Sequence, residues 1–267
     1  MKDVCKDLEA EYEALDSIVT DFDETKYETE TPFWEWTVRD EISHLAYIDG
    51  KARLAATDPE GFALHVEDVL KDPEAFEDDQ LEKGRSMTWF ELLEWWRQER
   101  TMLLKALVSY EPKSRLPWYG PPMSARSFAV ARIMETWAHG QDIVDALGIH
   151  RILSDRLYYV ADLGVRTFGW SFSNRGMEVP DTRVRVELVS PSGRRLIWGP
   201  EDAENRVCGT AEDFCLAVTR RRHITDTGIA IEGPVARKWL SIAQAFAGPP
   251  EDGPGPGRFK KCMDQGS

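Results

Sequence analysis

Arg132–Gly148 reads R-I-M-E-T-W-A-H-G-Q-D-I-V-D-A-L-G, a pattern that predicts one helix closed by Gly148. Glu135 and His139 stand four residues apart, so their side chains lie one turn apart on one face. A carboxylate and an imidazole so placed can share a metal ion, and Asp142 continues the stripe three residues after His139. Ile133, Trp137 and Val144 form an apolar stripe on the opposite side, so the same polar residues also fit an ordinary solvated face. Phe128, Ala131 and Ala146 share the polar stripe, which favours a helix buried on two sides.

Working back from this helix, Asp3 to about Phe22 reads as amphipathic, with Leu8, Tyr12, Leu15, Ile18 and Val19 on its apolar side. Thr37 is a natural N-cap for a second helix, with Asp40 suited to the positive end of its dipole. That helix runs to about Ala56 and carries His44 on the side of Ile48 and Ala55. An inward histidine is either a hydrogen-bonded core residue or a ligand with a partner elsewhere. Asp58–Arg85 is acidic, with prolines at Pro59 and Pro73, and predicts only short helical turns. Thr88 and Glu91 form a capping box opening a helix to about Tyr110. A polar-aromatic loop, L-P-W-Y-G-P-P-M at 116–123, leads into the helix quoted first. Four long helices pack most simply as a four-helix bundle, whose core sites are built from facing helices. His44 and the Glu135–His139 pair then converge as a His₂Glu set, the complement of an open zinc site. Trp34, Trp36, Trp118 and Tyr119 precede bundle helices and fit either a substrate entrance or core packing.

The remainder changes character. Ser154 caps a helix to about Phe172; Arg183–Val189 and Arg194–Trp198 read as a hairpin about the turn at Ser190–Gly193. Val207–Gly209 and Ile229–Glu232 are short strands, with helices from Thr210 to about Thr219 and from Val235 to Phe246. Mixed elements of this kind indicate a separate α+β domain, and the Pro/Gly-rich end from Gly248 reads as a mobile tail.

The 267 residues carry 33 basic and 47 acidic side chains, a net charge of −14 that argues against nucleic acid and anionic membrane partners. No run approaches a membrane span, and the N-terminus lacks the apolar core of a signal peptide, so a cytoplasmic location is expected. Cys5, Cys208, Cys215 and Cys262 form no C-x-x-C pair, which disfavours a thiolate zinc site.

W-T-V-R-D-E-I-S-H-L-A at Trp36–Ala46 resembles the second-helix motif of DinB-like bundles, in particular the mycothiol-dependent maleylpyruvate isomerase N-terminal branch. In that branch the motif's histidine is a metal ligand, at the position of His44. The fourth-helix E-x-x-x-H motif supplies the other two, at Glu135 and His139. G-T-A-E-D-F-C-L-A-V-T-R-R-R-H resembles the isomerase-type C-terminal domain, related to sterol-carrier folds. Its continuation, W-L-S-I-A-Q-A-F-A-G-P-P, looks like a two-domain actinobacterial-type metal-binding subgroup.

The resemblance covers Asp3–Pro250 and implies an α+β protein. A DinB-like metal-binding four-helix bundle would span 1–150, a smaller sterol-carrier-like α/β domain 151–250, and a tail 251–267. It implies one divalent metal, Zn²⁺ by donor set, and a low-molecular-weight thiol such as mycothiol that attacks a small electrophilic substrate. Arg221 matches an arginine of that C-terminal domain suited to a carboxylate, with a surface basic cluster of Arg220–Arg222 as the alternative. Asp142 is a fourth ligand or, better, a group that orients His139 or hydrogen-bonds within the bundle. Three functions stay open: a thiol-using isomerase or transferase, a non-catalytic metal-binding module whose C-terminal domain binds an apolar ligand or partner, and a metal-dependent hydrolase with Asp142 or Asp49 as base. A monomer or a homodimer fits each.

Overall fold

The computed structural model describes residues 1–33 and 35–259, the side chains at 74, 75, 77 and 78 excepted. The chain forms two compact units, Met1–Arg151 and Ile152–Ser267.

In the first unit the bundle helices are α1 (Lys2–Val19), α3 (Val38–Thr57), α6 (Trp89–Leu107) and α7 (Ala125–Leu147), with the single-turn α2 (Glu24–Tyr27) between the first two. Local sequence sets their ends. Thr37 and Asp40 form a reciprocal capping box on α3, Thr88 and Glu91 another on α6, and Ser124 caps α7. Gly148 ends α7 at φ +62°, a left-handed conformation that glycine adopts without strain. The short strands β1 (Arg115–Leu116) and β2 (Met123–Ser124) pair just before it.

Asp58–Arg85 differs from its reading as short turns. It forms two 13-residue helices, α4 (Pro59–Lys71) and α5 (Pro73–Arg85). Each proline occupies a first helical turn, where its missing N–H costs nothing. Topology explains the length of this excursion. Asp49 meets Trp96 and Arg53 meets Glu99, so α3 and α6 run parallel. The chain must therefore travel back along α3, about 30 Å, before α6 begins. In contrast, Glu41 meets His139 and Asp49 meets Arg132, so α3 and α7 run antiparallel.

Asp49 is fully buried at the centre of the bundle. It accepts hydrogen bonds from Tyr12 Oη (2.8 Å), Arg132 Nε (2.8 Å) and Trp96 Nε1 (3.3 Å). A buried carboxylate persists only with such partners.

The second unit begins with α8 (Leu157–Arg166) and α9 (Phe168–Ser173). The sequence predicts one helix there; Thr167 breaks it, its hydroxyl bonding back to the Leu163 and Gly164 carbonyls. A four-stranded sheet follows in the order β4 (Arg195–Trp198), β3 (Val184–Val189), β5 (Asn205–Thr210), β6 (Ala230–Glu232). β3 and β4 form the expected antiparallel hairpin, and β5 lies parallel to β3 on its other side. α10 (Ala211–Val218) and α11 (Pro234–Ile242) bury Phe214 and Trp239.

The stretch read as a mobile tail is tied to this unit as far as it is described. Gln244 Oε1 accepts from Glu251 N (2.9 Å), and both Asp226 carboxylate oxygens accept from Gly257 N. Cys262 lies outside the described residues. Among the described residues no helix is long and apolar enough to cross a membrane.

Candidate metal centre

His44 on α3 and His139 on α7 face each other with ring centroids 4.4 Å apart. Their Nε2 atoms point to one oxygen of Glu135, at 3.8 Å from His44 and 3.3 Å from His139. Ligand atoms bonded at about 2.0–2.1 Å to a tetrahedral ion sit about 3.3 Å apart, which these separations approach.

Each ring's other nitrogen is taken. Gln80 Oε1 lies 2.8 Å from His44 Nδ1, and Glu41 Oε2 lies 2.7 Å from His139 Nδ1. The Gln80 amide is oriented by its own Nε2, which donates to the Phe76 carbonyl. Both partners are acceptors, so each Nδ1 carries the proton and each Nε2 turns a lone pair toward Glu135. His44 Nε2 is buried, with no hydrogen-bond partner among the described residues. Leaving such an atom unmatched costs about 1–3 kcal/mol, which a cation in the gap would relieve.

Burial pushes the Glu135 carboxyl up, but contacts from His139 and His44 and the Arg132 charge outweigh it and hold it well below the usual carboxylate range. Arg132 sits one turn earlier on α7 and is itself anchored to Asp49. Glu135 is thus ionised, as a ligand must be.

A second grouping, Glu41, His139 and Asp142, is wholly buried beside the same histidine. The 2.7 Å from Glu41 to Nδ1 is too short for two ligands of one tetrahedral ion and right for a charge-assisted hydrogen bond. Glu41 is therefore the orienting carboxylate, with its Oε1 accepting from Thr31 at 2.7 Å. Asp142, expected to orient His139 or to hydrogen-bond within the bundle, lies buried beside this pair. Glu41 interrupts the otherwise apolar stripe of Leu45, Ile48 and Ala52, a signal that could have found it. Gln80 carried no such signal, because its helix was not foreseen.

The loop before α3 roofs the histidines. Glu35 adopts φ +59°, strained for a non-glycine residue, in a tight turn closed by Trp36 N bonding to Phe33 O. The Trp36 ring lies 5.3 Å from His44 and 6.1 Å from His139, and Phe33 lies 5.3 Å from His139. Trp34 is outside the described residues. Trp118 and Tyr119 belong to an aromatic cluster with Phe62.

Arg221 lies in the second unit, at the C-terminus of α10. Arg220 takes φ +62° there, and Arg221 N returns to the Leu216 carbonyl at 2.9 Å in a Schellman arrangement. The Arg221 side chain is buried, its Nη1 donating to the Thr219 carbonyl (2.8 Å). Asp49, weighed as a base for hydrolysis, is consumed by its three core donors.

The family model for the mycothiol maleylpyruvate isomerase N-terminal domain matches residues 8–144, which include all three facing side chains. The chain belongs to this family. Family membership thus covers the bundle. An uncharacterized protein of Mycobacterium tuberculosis, found in two strains, is 43% identical over 247 residues, 92% of this chain and 96% of the relative. Two crystal structures share the fold: the mycothiol-dependent maleylpyruvate isomerase (TM-score 0.56, 15% identity) and its histidine-to-alanine variant (TM-score 0.59, 14% identity). Each match covers 87% of this chain and 94% of the other.

Proposed function

We propose that this chain is a divalent-metal-dependent enzyme that uses a low-molecular-weight thiol against a small, carboxylate-bearing electrophile, as an isomerase or S-transferase. One observation carries the reading: two imidazoles whose Nδ1 protons are held elsewhere aim bare Nε2 atoms at the Glu135 carboxylate. His44 Nε2, His139 Nε2 and Glu135 would hold the ion, Zn²⁺ fitting the donor set best. Bound there, it would lower the pKa of a thiol or water in its open position.

The chain's own residues set the surroundings. Glu41 and Gln80 hold the Nδ1 protons, and Trp36 and Phe33 limit water above the rings. The nucleophilic thiol comes from solution on this reading. Burial pushes the Cys5 and Cys215 thiols up, and Cys215 points at the Leu157 carbonyl. Solved relatives named as mycothiol-dependent isomerases favour mycothiol as that thiol. Arg221, buried in the second unit, is kept as a carboxylate-binding candidate on the resemblance of its segment alone. Asp142 is assigned a supporting part beside His139 and Glu41.

Metal analysis of the purified chain, followed by turnover assays with mycothiol, glutathione and no thiol, tests this. We expect one equivalent of divalent metal, lost in His44→Ala and His139→Ala, and mycothiol-dependent consumption of maleylpyruvate or a related electrophile. Metal bound at full occupancy without thiol-dependent turnover would favour a metal that only staples the bundle. Absence of metal would overturn the reading.

A further inference from the structure

A second cluster of polar side chains lies in the bundle unit away from the triad. Lys51 Nζ is 3.4 Å from His65 Nδ1, and His65 Nε2 is 2.8 Å from Tyr119 Oη. Lysine only donates, so His65 accepts at Nδ1 and its Nε2–H donates to Tyr119. The Tyr119 O–H is then left to donate outward, and no acceptor for it is found among the described residues. Lys51 keeps two further N–H groups, with its charge 4.7 Å from the Tyr47 ring centre. No carboxylate forms an ion pair with Lys51 among the described residues; the charges of Asp79 and Glu99 act on it, those of Asp68 and Asp79 on His65, and that of Asp79 on Tyr47. Burial and the Lys51 charge favour neutral His65, and burial pushes the Tyr119 phenol far up, so it stays a donor. Among the described residues, the hydrogen-bonded series ends in donors and a cation without an acceptor.

Its position relates to the triad. His44 and Lys51 are seven residues apart on α3, so they share a face about 10 Å apart. On α7, Phe128 is the same interval before Glu135, and α7 runs antiparallel to α3, so both steps lead the same way. Phe128 packs on Trp118 (4.9 Å), which stacks on Phe62 (5.6 Å) beside Tyr119. Phe76 touches Tyr47, His65 and Tyr119, one turn before Gln80, the residue that holds His44.

We propose that Lys51, His65 and Tyr119 form a carboxylate-binding array that holds an acid group of the electrophile while its reactive carbon lies at the triad. The array's affinity for a carboxylate stands by itself; only the placing of the reactive carbon rests on the proposed function.

The test is NMR of the full chain with ¹⁵N-labelled histidine, titrated with maleate, acetate and mycothiol. Maleate should move the His65 ring signals saturably, and mycothiol, which has no carboxylate, should leave them in place. Tyr119→Phe should weaken maleate binding about fivefold and Lys51→Met about tenfold, the range for loss of a charge-assisted donor. Lys51→Arg, which keeps the charge, should recover part of that loss. In His44→Ala the response should persist within about twofold, which separates this result from failure of the metal reading. An unmoved His65, equal affinity in Tyr119→Phe and Lys51→Met, or a response to mycothiol alone would overturn the proposal.

Discussion

Glu41 decides how His139 can act. A histidine that offers Nε2 to a cation needs its Nδ1 proton held, and a charged carboxylate both fixes the ring and strengthens Nε2 as a donor. Glu41→Gln keeps an acceptor of the same shape and removes the charge. Metal affinity should fall about 10–100-fold, measured by competition with a chromophoric chelator, while the thermal midpoint of the metal-free protein stays close to wild type. Unchanged affinity would remove Glu41 from the site. The contrast with Glu135 and His139 is instructive. Those two were legible because helical spacing alone puts them on one face. Glu41 was not, because its task is set by a partner 98 residues away.

The helix α5 shows how packing overrides local preference. Gly84, in its last turn, packs against Ser43 of α3 so closely that a Cβ would lie 2.2 Å from the Ser43 hydroxyl and 2.4 Å from its Cβ. Elsewhere in a helix, Gly→Ala stabilises by about 1 kcal/mol. Here Ser43 is fully buried and cannot withdraw, so the sign reverses. Gly84→Ala should destabilise the fold by about 1–3 kcal/mol in urea and also weaken metal binding, because displacing α5 takes Gln80 away from His44. The double variant Gly84→Ala with Ser43→Gly should recover part of both losses, since it relieves the clash but gives up the Ser43 hydroxyl bond to the Gln80 carbonyl. This helix was not foreseen because its acidic sequence has little periodicity; the need to return the chain between two parallel helices creates it. A second tie joins α1 to α6. Burial raises the Asp16 carboxyl, but hydrogen bonds from Arg97 and the Arg100 charge outweigh it and leave it below its ordinary value. A carboxyl depressed in the folded state adds stability fully present above its unfolded value, about 3.9, and lost as pH falls through the folded one. Asp16→Asn should therefore cost about 1–3 kcal/mol at pH 7, and the cost should fall as pH is lowered below about 3.9. Equal urea midpoint shifts above and below that pH would refute the pairing.

Two compact units, with the proposed metal site on residues of the first, make a prediction about where metal would be felt. The division was legible in the switch from long amphipathic helices to β-branched alternation after residue 150, and so was the β3–β4 hairpin. The parallel pairing of β3 with β5 was not, because nothing local encodes which edge a later strand joins. Metal that binds only the folded bundle stabilises it by mass action, about 2.7 kcal/mol at a free concentration one hundred times Kd. That free energy enters only the openings that break the site. Adding a chelator should speed amide exchange about 100-fold in the globally protected amides of α3 and α7, which carry His44 and the Glu135–His139 pair from opposite sides. Amides of β3 and β5 belong to the other unit and should keep their rates. Hydrogen exchange followed by mass spectrometry reads both at once. Acceleration of the sheet together with the bundle would mean that the ion's free energy is shared by both units. Unchanged rates everywhere would mean that His44, Glu135 and His139 hold no ion under those conditions.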